Sequence, residues 1–283
     1  MNTSDSQEQR VLNPKSMRAP ALFVGFPSPD AASDADYVQA LRRLGVQLRK
    51  PRGIVVATAR WHTVRPLRVT GHPEPPLLPH PDDHRPWASR TQARCVGQPG
   101  LAARAADLLG GAGLPAVVDA SRGLDAASWM PVSLVFGRSE VPTIEVSLPA
   151  GGSPGDMMAV GAALAPLRSE GVLLVGSGAV VCNPHRARPD RGDGLPESWA
   201  RAFDDWVSAC LETLDVEALA DYRRRGPHAH ISAPTPEFLD PLLFVLGARM
   251  PGDRIVTLFE GFHAGSLSLR TCLLVGRRKT DLR

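Results

Sequence analysis

Short apolar runs alternate with stretches of helical spacing along most of the chain. Ala21 to Val24 and Gly53 to Ala57 are continuous apolar runs bounded by Gly or Pro, the pattern of strands buried on both faces. Between them Val38, Leu41, Leu44 and Leu48 recur at three- and four-residue steps, which predicts a helix over Asp36 to Leu48. Strand, helix, strand is the building unit of an α/β sheet. The alternation goes on to predict a helix over Leu101 to Ala112, strands at Ala116 to Val118 and Thr143 to Leu148, a helix over Asp156 to Arg168 and a strand over Gly171 to Gly176. Helices over Glu197 to Leu214 and Pro236 to Gly247 follow, then strands at Ile255 to Phe259 and Leu267 to Leu274. The expected architecture is a single α/β domain over 19–283, with one central mixed, mostly parallel sheet flanked by helices. Residues 1–18 lack apolar periodicity and read as a disordered leader. Residues 71–100 and 183–196 are rich in Pro, His, Asp and Arg without regular pattern, and loops of that length tend to line a site.

Composition narrows the function classes. Hydrophobic residues at 43% and charged residues at 22% exclude wholesale disorder, and 283 residues suffice for a sizeable core. The net charge of +3 is carried almost wholly by arginine, since Lys15, Lys50 and Lys279 are the only lysines, and implies no nucleic-acid partner. No run approaches the roughly 18 apolar residues of a membrane span, and no apolar signal core opens the chain. Cys95, Cys182, Cys210 and Cys272 are far apart and show neither zinc-knuckle nor disulfide-framework spacing. A cytoplasmic protein without a membrane partner is the expectation.

Familiar chemical signatures are absent: there is no Gly-x-Ser-x-Gly elbow, no phosphate loop and no His-Glu-x-x-His. Gly176-Ser177-Gly178 offers backbone N–H groups to an anion, but such a triplet more often makes a tight turn. His228 and His230 would share a metal from an extended segment, on weak evidence because two donors are too few.

Six strings, in order, carry a family resemblance: Pro20-Ala21-Leu22-Phe23, Gly123-Leu124-Asp125 followed by Trp129-Met130-Pro131, Gly176-Ser177-Gly178, Phe203-Asp204-Asp205-Trp206, Pro234-Thr235-Pro236-Glu237, and Gly265-Ser266-Leu267-Ser268-Leu269-Arg270. Over roughly residues 19–275 the chain resembles the class III extradiol ring-cleavage dioxygenases of the LigB superfamily, in the DOPA-dioxygenase-like branch. The resemblance implies a LigB-like fold, an aromatic substrate and a ferrous ion held by histidines. At the positions it assigns to the family's histidines this chain has Phe26, Arg60, Ala126, Cys182, Ala233 and Phe238. Ferrous iron needs several imidazole or carboxylate donors, and Phe26, Arg60 and Ala233 supply none. His62, His185 and His230 lie two or three residues from these positions, but a two-residue step along a strand moves a side chain by about 6–7 Å.

The preferred reading is therefore a metal-independent, cofactor-free enzyme on the dioxygenase scaffold. It would act on a small aromatic, phenolic or polyketide-like ligand of secondary metabolism by isomerisation, cyclisation, condensation or hydrolysis. Cys182, His62 and His230 are the candidate catalytic residues. Arg60 is the candidate anion anchor, and Phe26, Ala126, Asn183, His185, Ala233 and Phe238 complete the expected ligand-binding lining. Bland roles stand beside these: an inert core thiol for Cys182, a structural ion pair with Asp125 or Glu237 for Arg60, and core packing for Trp61 and Trp129. The second reading is a non-catalytic subunit that supports a homologous partner chain or self-associates. The third is an iron dioxygenase with rebuilt ligands.

Overall fold

The computed structural model describes residues 18–26, 28–79, 95–137, 141–188 and 195–276. The expected leader lies outside the described residues except for Arg18, whose guanidinium is 3.6 Å from Asp253 Oδ1.

One eight-stranded sheet organises the chain. Its strands are β1 (Ala21–Gly25), β2 (Gly53–Thr63), β3 (Leu67–Thr70), β4 (Ala116–Asp119), β5 (Thr143–Pro149), β6 (Val172–Gly178), β7 (Asp253–Phe259) and β10 (Thr271–Gly276). They lie in the order β4-β3-β5-β2-β6-β1-β10-β7. The centre, β5-β2-β6-β1, is parallel, while β10 and β7 join antiparallel at one end and β3 runs antiparallel to β5 at the other. Two short strands, β8 (Phe262–His263) and β9 (Leu267–Ser268), form a separate antiparallel pair. The sheet is thus α/β and mixed, as the alternating pattern predicts. Among the described residues no helix is long and apolar enough to cross a membrane.

Period-two alternation splits the sheet into two packed faces. Val55, Ala57, Ile144, Val146 and Leu174 join the larger cluster under α2 (Pro99–Gly111), α4 (Pro154–Leu164), α6 (Ser198–Thr213) and α10 (Asp240–Gly247). Ile54, Val56, Leu173 and Val175 face the second cluster under α1 (Ala35–Gln47) and α3 (Ala126–Phe136). β1, β5 and β6 are buried along their whole length and β2 through Ala59, which is why Ala21 to Val24 and Gly53 to Ala57 read as continuous apolar runs.

Several expected elements differ. The helix expected over Asp156 to Arg168 breaks into α4 and the one-turn α5 (Pro166–Ser169), because Pro166 has no N–H to continue the ladder. The late strand expected over Leu267 to Leu274 is two strands, β9 and β10, separated by Leu269 and Arg270. The helix expected from Pro236 begins only at Asp240. The helix α3 has no counterpart in the pattern: it is buried on nearly every side and contains Pro131, so it has no polar stripe to mark its period. The one-turn helices α7 (Val216–Ala220), α8 (Tyr222–Arg225) and α9 (Ala229–Ser232) are likewise too short to leave a periodic signal.

Two buried arginines tie the sheet to its surroundings. Arg168 bonds Asp253 at 2.6 Å and the carbonyls of Ala19, Ala248 and Leu274. Arg270 bonds Asp204 through two nitrogens, at 3.0 and 2.6 Å, and also Glu260 and Ser208. Each guanidinium is compensated by a carboxylate, as burial demands.

Gly176-Ser177-Gly178 is not the tight turn expected for it. It is the end of β6, and a Cβ on Gly176 would sit 2.2 Å from the Pro241 carbonyl, one on Gly178 2.2 Å from the Phe238 carbonyl. The glycines let the start of α10 and the preceding segment lie against the strand backbone. Gly176→Ala should lower the unfolding free energy by about 1–3 kcal/mol, the usual cost of overpacking. Denaturant melts of the two proteins check it, and an unchanged midpoint would mean that α10 does not press on β6 as described.

Candidate functional site at the carboxyl ends of the parallel strands

The site grows from an irregularity in β2. Its pairing with β5 is regular from Ile54 to Ala57, and then β2 advances five residues, to His62, while β5 advances two, from Val146 to Leu148. A bulge of this size re-aims the side chains it carries. Thr58 turns toward α3 and bonds Asp125 Oδ2 at 3.0 Å. Arg60 turns to the other side, with its guanidinium carbon 5.9 Å from the centre of the Phe238 ring. Trp61 lies under Arg122 at 4.3 Å. His62 rejoins the ladder, and its Nε2 lies 3.0 Å from Asp240 Oδ2.

Main-chain hydrogen bonds stitch remote segments to this end of the sheet. Phe26 N–H donates to the Gly178 carbonyl at 2.6 Å, Ala179 N–H to Phe238 at 2.8 Å and Cys182 N–H to Ser232 at 2.9 Å. Asp125 caps α3 by accepting from Ser128 N–H, which fixes Ala126 as the first helical residue. Tyr37 from α1 donates its hydroxyl to the Gly25 carbonyl at 2.8 Å and holds the chain just before Phe26.

The apolar members of the expected site fall in three clusters. Arg60, Cys182 and Phe238 stand together: Cys182 and Phe238 share a small apolar cluster with Ala179 and Leu267, and the Arg60 charge acts on the Cys182 thiol. His62 follows Arg60 on β2, and its partner Asp240 lies two residues after Phe238. Phe26 and Ala126 are buried on the α1/α3 face, with Leu124, Trp129, Met130 and Leu269. Ala233 is buried in the larger core cluster. Asn183 is a strut: its Nδ2 donates to the Ile231 carbonyl at 2.7 Å, and its own carbonyl accepts from Ser266 Oγ. His185 and His230 are exposed on short helical turns away from these contacts. His228 and His230 do not belong to an extended segment either. His228 is the left-handed cap of α9 and His230 its second residue, and among the described residues no third donor joins them to hold a metal. His80 and His84 lie outside the described residues.

The electrostatics separate reactive from inert groups. Burial pushes the Cys182 thiol up to about 12, an effect only partly opposed by the positive charge of Arg60. At neutral pH it is therefore a thiol, suited to the weak-acid role and not to that of a ready nucleophile. Burial also raises the Asp240 carboxyl above the usual range, while the hydrogen bond and charge of His62 pull it back down. The His62 side chain is only 13% exposed, yet solvent reaches it, as a base that exchanges protons requires.

Four functional candidates were not read from the sequence: Asp240, Thr58, Glu145 and Arg122. Glu145 alone carried a signal, being the one acid within the buried strand Thr143–Pro149.

The chain matches the family model described as the catalytic LigB subunit of aromatic ring-opening dioxygenase over residues 22–260. It belongs to the LigB family. Among its relatives is a 4,5-DOPA dioxygenase extradiol of Escherichia coli K12, 35% identical over 260 residues, which span 90% of this chain and 94% of that protein. A 4,5-DOPA dioxygenase extradiol of Beta vulgaris is 30% identical over 224 residues, 78% of this chain and 81% of its own. The crystal structure of an uncharacterized protein of Escherichia coli K12 superposes with a TM-score of 0.76 at 32% identity, covering 91% of this chain and all of the other.

At the three positions where the resemblance puts metal ligands, the side chains present do not suit a ferrous ion. Phe26, Arg60 and Ala233 stand where the resemblance puts metal ligands, and a phenyl ring, a guanidinium and a methyl group donate no lone pair. Among the described residues no three of His, Cys, Asp and Glu come together as a metal site requires.

The thiol assignment is open to a direct check. At pH 8, iodoacetamide should leave Cys182 unmodified in the folded protein over a period that fully labels a free thiol of pKa about 8.5. Peptide mass mapping reads the outcome, and rapid labelling of Cys182 would overturn the buried, neutral thiol.

Proposed function

We propose that this LigB-family protein is a metal-independent acid–base enzyme acting on a small aromatic or phenolic acid. The observation that carries the reading is the His62–Asp240 pair at 3.0 Å, on the same stretch of β2 that presents Arg60. In this reading Asp240 accepts the Nε2 proton of His62 and fixes the ring, leaving Nδ1 as general base. Arg60 holds the substrate's carboxylate or phenolate, with the Phe238 ring beside it as an apolar wall. Cys182, neutral at physiological pH, acts as a weak acid toward a developing negative charge. Proton abstraction next to a carbonyl, followed by isomerisation or ring closure, needs no more than a base, an anion anchor and a weak acid, and no redox partner enters.

A second reading, a non-catalytic subunit in a complex with a homologous chain, is favoured by one observation. Phe26 is 3% exposed and packed in the apolar cluster that includes Ala126 and Trp129, as a filled former site would be.

The readings separate by experiment. With para-hydroxybenzoate as probe, the enzyme reading expects a ligand-induced rise in melting temperature and a loss of affinity of about five- to tenfold in Arg60→Ala, a modest factor because Arg60 is solvent-exposed. His62→Ala should leave binding of the probe largely intact. Ferrous or zinc ion added to chelator-washed protein should not raise the melting temperature. An Arg60→Ala protein that binds the probe as the wild type does would sink the anion anchor, and stoichiometric metal surviving the chelator would sink the metal-free reading.

A further inference from the structure

The Thr58 hydroxyl makes three polar contacts and has one proton to donate. Arg60 N–H donates to it at 3.1 Å. Asp125 Oδ2 lies 3.0 Å away and Glu145 Oε1 3.3 Å away. Two ionised carboxylates would both need Thr58 as donor, and the single hydroxyl proton can satisfy only one of them. The remaining contact becomes a hydrogen bond only if the other carboxyl is itself protonated and donates to the Thr58 oxygen. That oxygen has two lone pairs, one for the Arg60 amide and one for this acid, so the count closes.

The surroundings identify the proton carrier. Asp125 is met by donors: Ser128 N–H at 3.1 Å in the first turn of α3, and Arg122 Nη2 at 3.8 Å. A helix N-terminus and a guanidinium both favour a negative charge there. Glu145 lies wholly inside the sheet at 0% exposure. Its Oε2 accepts the Asp125 N–H at 3.1 Å, and its main-chain N–H is taken up by Thr70 Oγ1. The charged groups facing it are Asp125, whose charge and side-chain hydrogen bond oppose ionisation while its N–H favours it, and Arg122, which favours it. Burial and the Asp125 charge together hold the Glu145 carboxyl well above the usual carboxylate range, the direction that the hydrogen-bond count requires.

We infer that Glu145 is a buried neutral acid and the positioning residue for Arg60, acting through Thr58. Protonated Glu145 donates to Thr58, Thr58 donates to Asp125, and the Thr58 oxygen is thereby turned to receive the Arg60 amide, whose β-ladder partner the bulge has removed. The chain Glu145–Thr58–Asp125 joins β5, β2 and the start of α3, and sets where the bulge carries its guanidinium. The purpose of Arg60 rests on the proposed function; the protonation of Glu145 and the pinning of the Arg60 amide do not.

The test uses the whole protein. Infrared spectroscopy at neutral pH should show a protonated carboxylic-acid carbonyl stretch that disappears in Glu145→Gln. Gln keeps both hydrogen bonds, with its NH2 group toward Thr58 and its oxygen toward the Asp125 amide, so hydrogen-exchange protection of the Arg60 amide should be retained in Glu145→Gln and lost in Thr58→Val. The pH sign follows from a raised folded-state pKa: the wild type loses stability as pH rises from 4.5, the ordinary value of a glutamic acid, toward the Glu145 folded pKa. Glu145→Gln does not titrate, so its melting temperature should gain on the wild type as pH increases over that range. Absence of the acid band in the wild type overturns the inference by itself. So does a Glu145→Gln protein that fails to fold or loses Arg60 amide protection, because an isostere of the neutral acid would then fail where the acid succeeds. Failure of para-hydroxybenzoate to bind wild type, with these results intact, would instead count against the anion-anchor reading alone.

Discussion

The break in register between β2 and β5 is the constraint from which the site follows. Up to Ala57, β2 is locked between two parallel neighbours, and its side chains alternate between the two cores. Past that point Thr58 keeps its β6 partner while the β5 partner is lost until His62. Main-chain groups freed from a ladder must find other partners, and the Arg60 amide finds the Thr58 hydroxyl. That one substitution of a side chain for a strand ties the bulge to the two carboxyls on the α3 side. It also leaves Arg60 and His62 on the side where Phe238 and Asp240 arrive.

How much of this was legible in the sequence follows from what leaves a linear trace. Unbroken apolar runs such as Ala21 to Val24 and Gly53 to Ala57 mark strands buried on both faces, and a three-to-four spacing marks α1, so the α/β architecture could be read directly. The helix α3 could not, because a helix buried all round has no stripe and its internal Pro131 argues against it. The bulge left no trace either: Thr58-Ala59-Arg60-Trp61 continues a strand-like string, and only pairing with β5 exposes the mismatch. Arg60 and His62 were therefore named without the partners that define them. The Asp240 acid lies 178 residues beyond His62, and contacts of that separation have no local pattern.

In the structure, the strings that carry the family resemblance make tight backbone approaches and a buried charge pair. Gly176 and Gly178 admit the Pro241 and Phe238 carbonyls, and Arg270 is clasped by Asp204. Such contacts fix the positions of segments and say nothing about what reacts between them. The side chains that those segments present at the carboxyl ends of the strands can change while the backbone stays, and a LigB fold at 35% identity is compatible with a site of different chemistry.

In the proposed reading the charge pattern around the bulge favours an anion. Arg60 carries a permanent positive charge, and the thiol beside it stays protonated until about pH 12, so Cys182 contributes no compensating negative charge at neutral pH. On the α3 side the negative charge of Asp125 is already shared among Thr58, Ser128 and Arg122, and Glu145 is held neutral. The carboxyl groups nearest the bulge are thus occupied by the protein's own donors. In that reading a carboxylate or phenolate entering there would meet the Arg60 guanidinium beside the Phe238 ring. The hydrogen bond that fixes the Arg60 backbone sets where the side chain leaves the strand, and the permanent charge of the guanidinium sets the sign of the ligand this reading expects there.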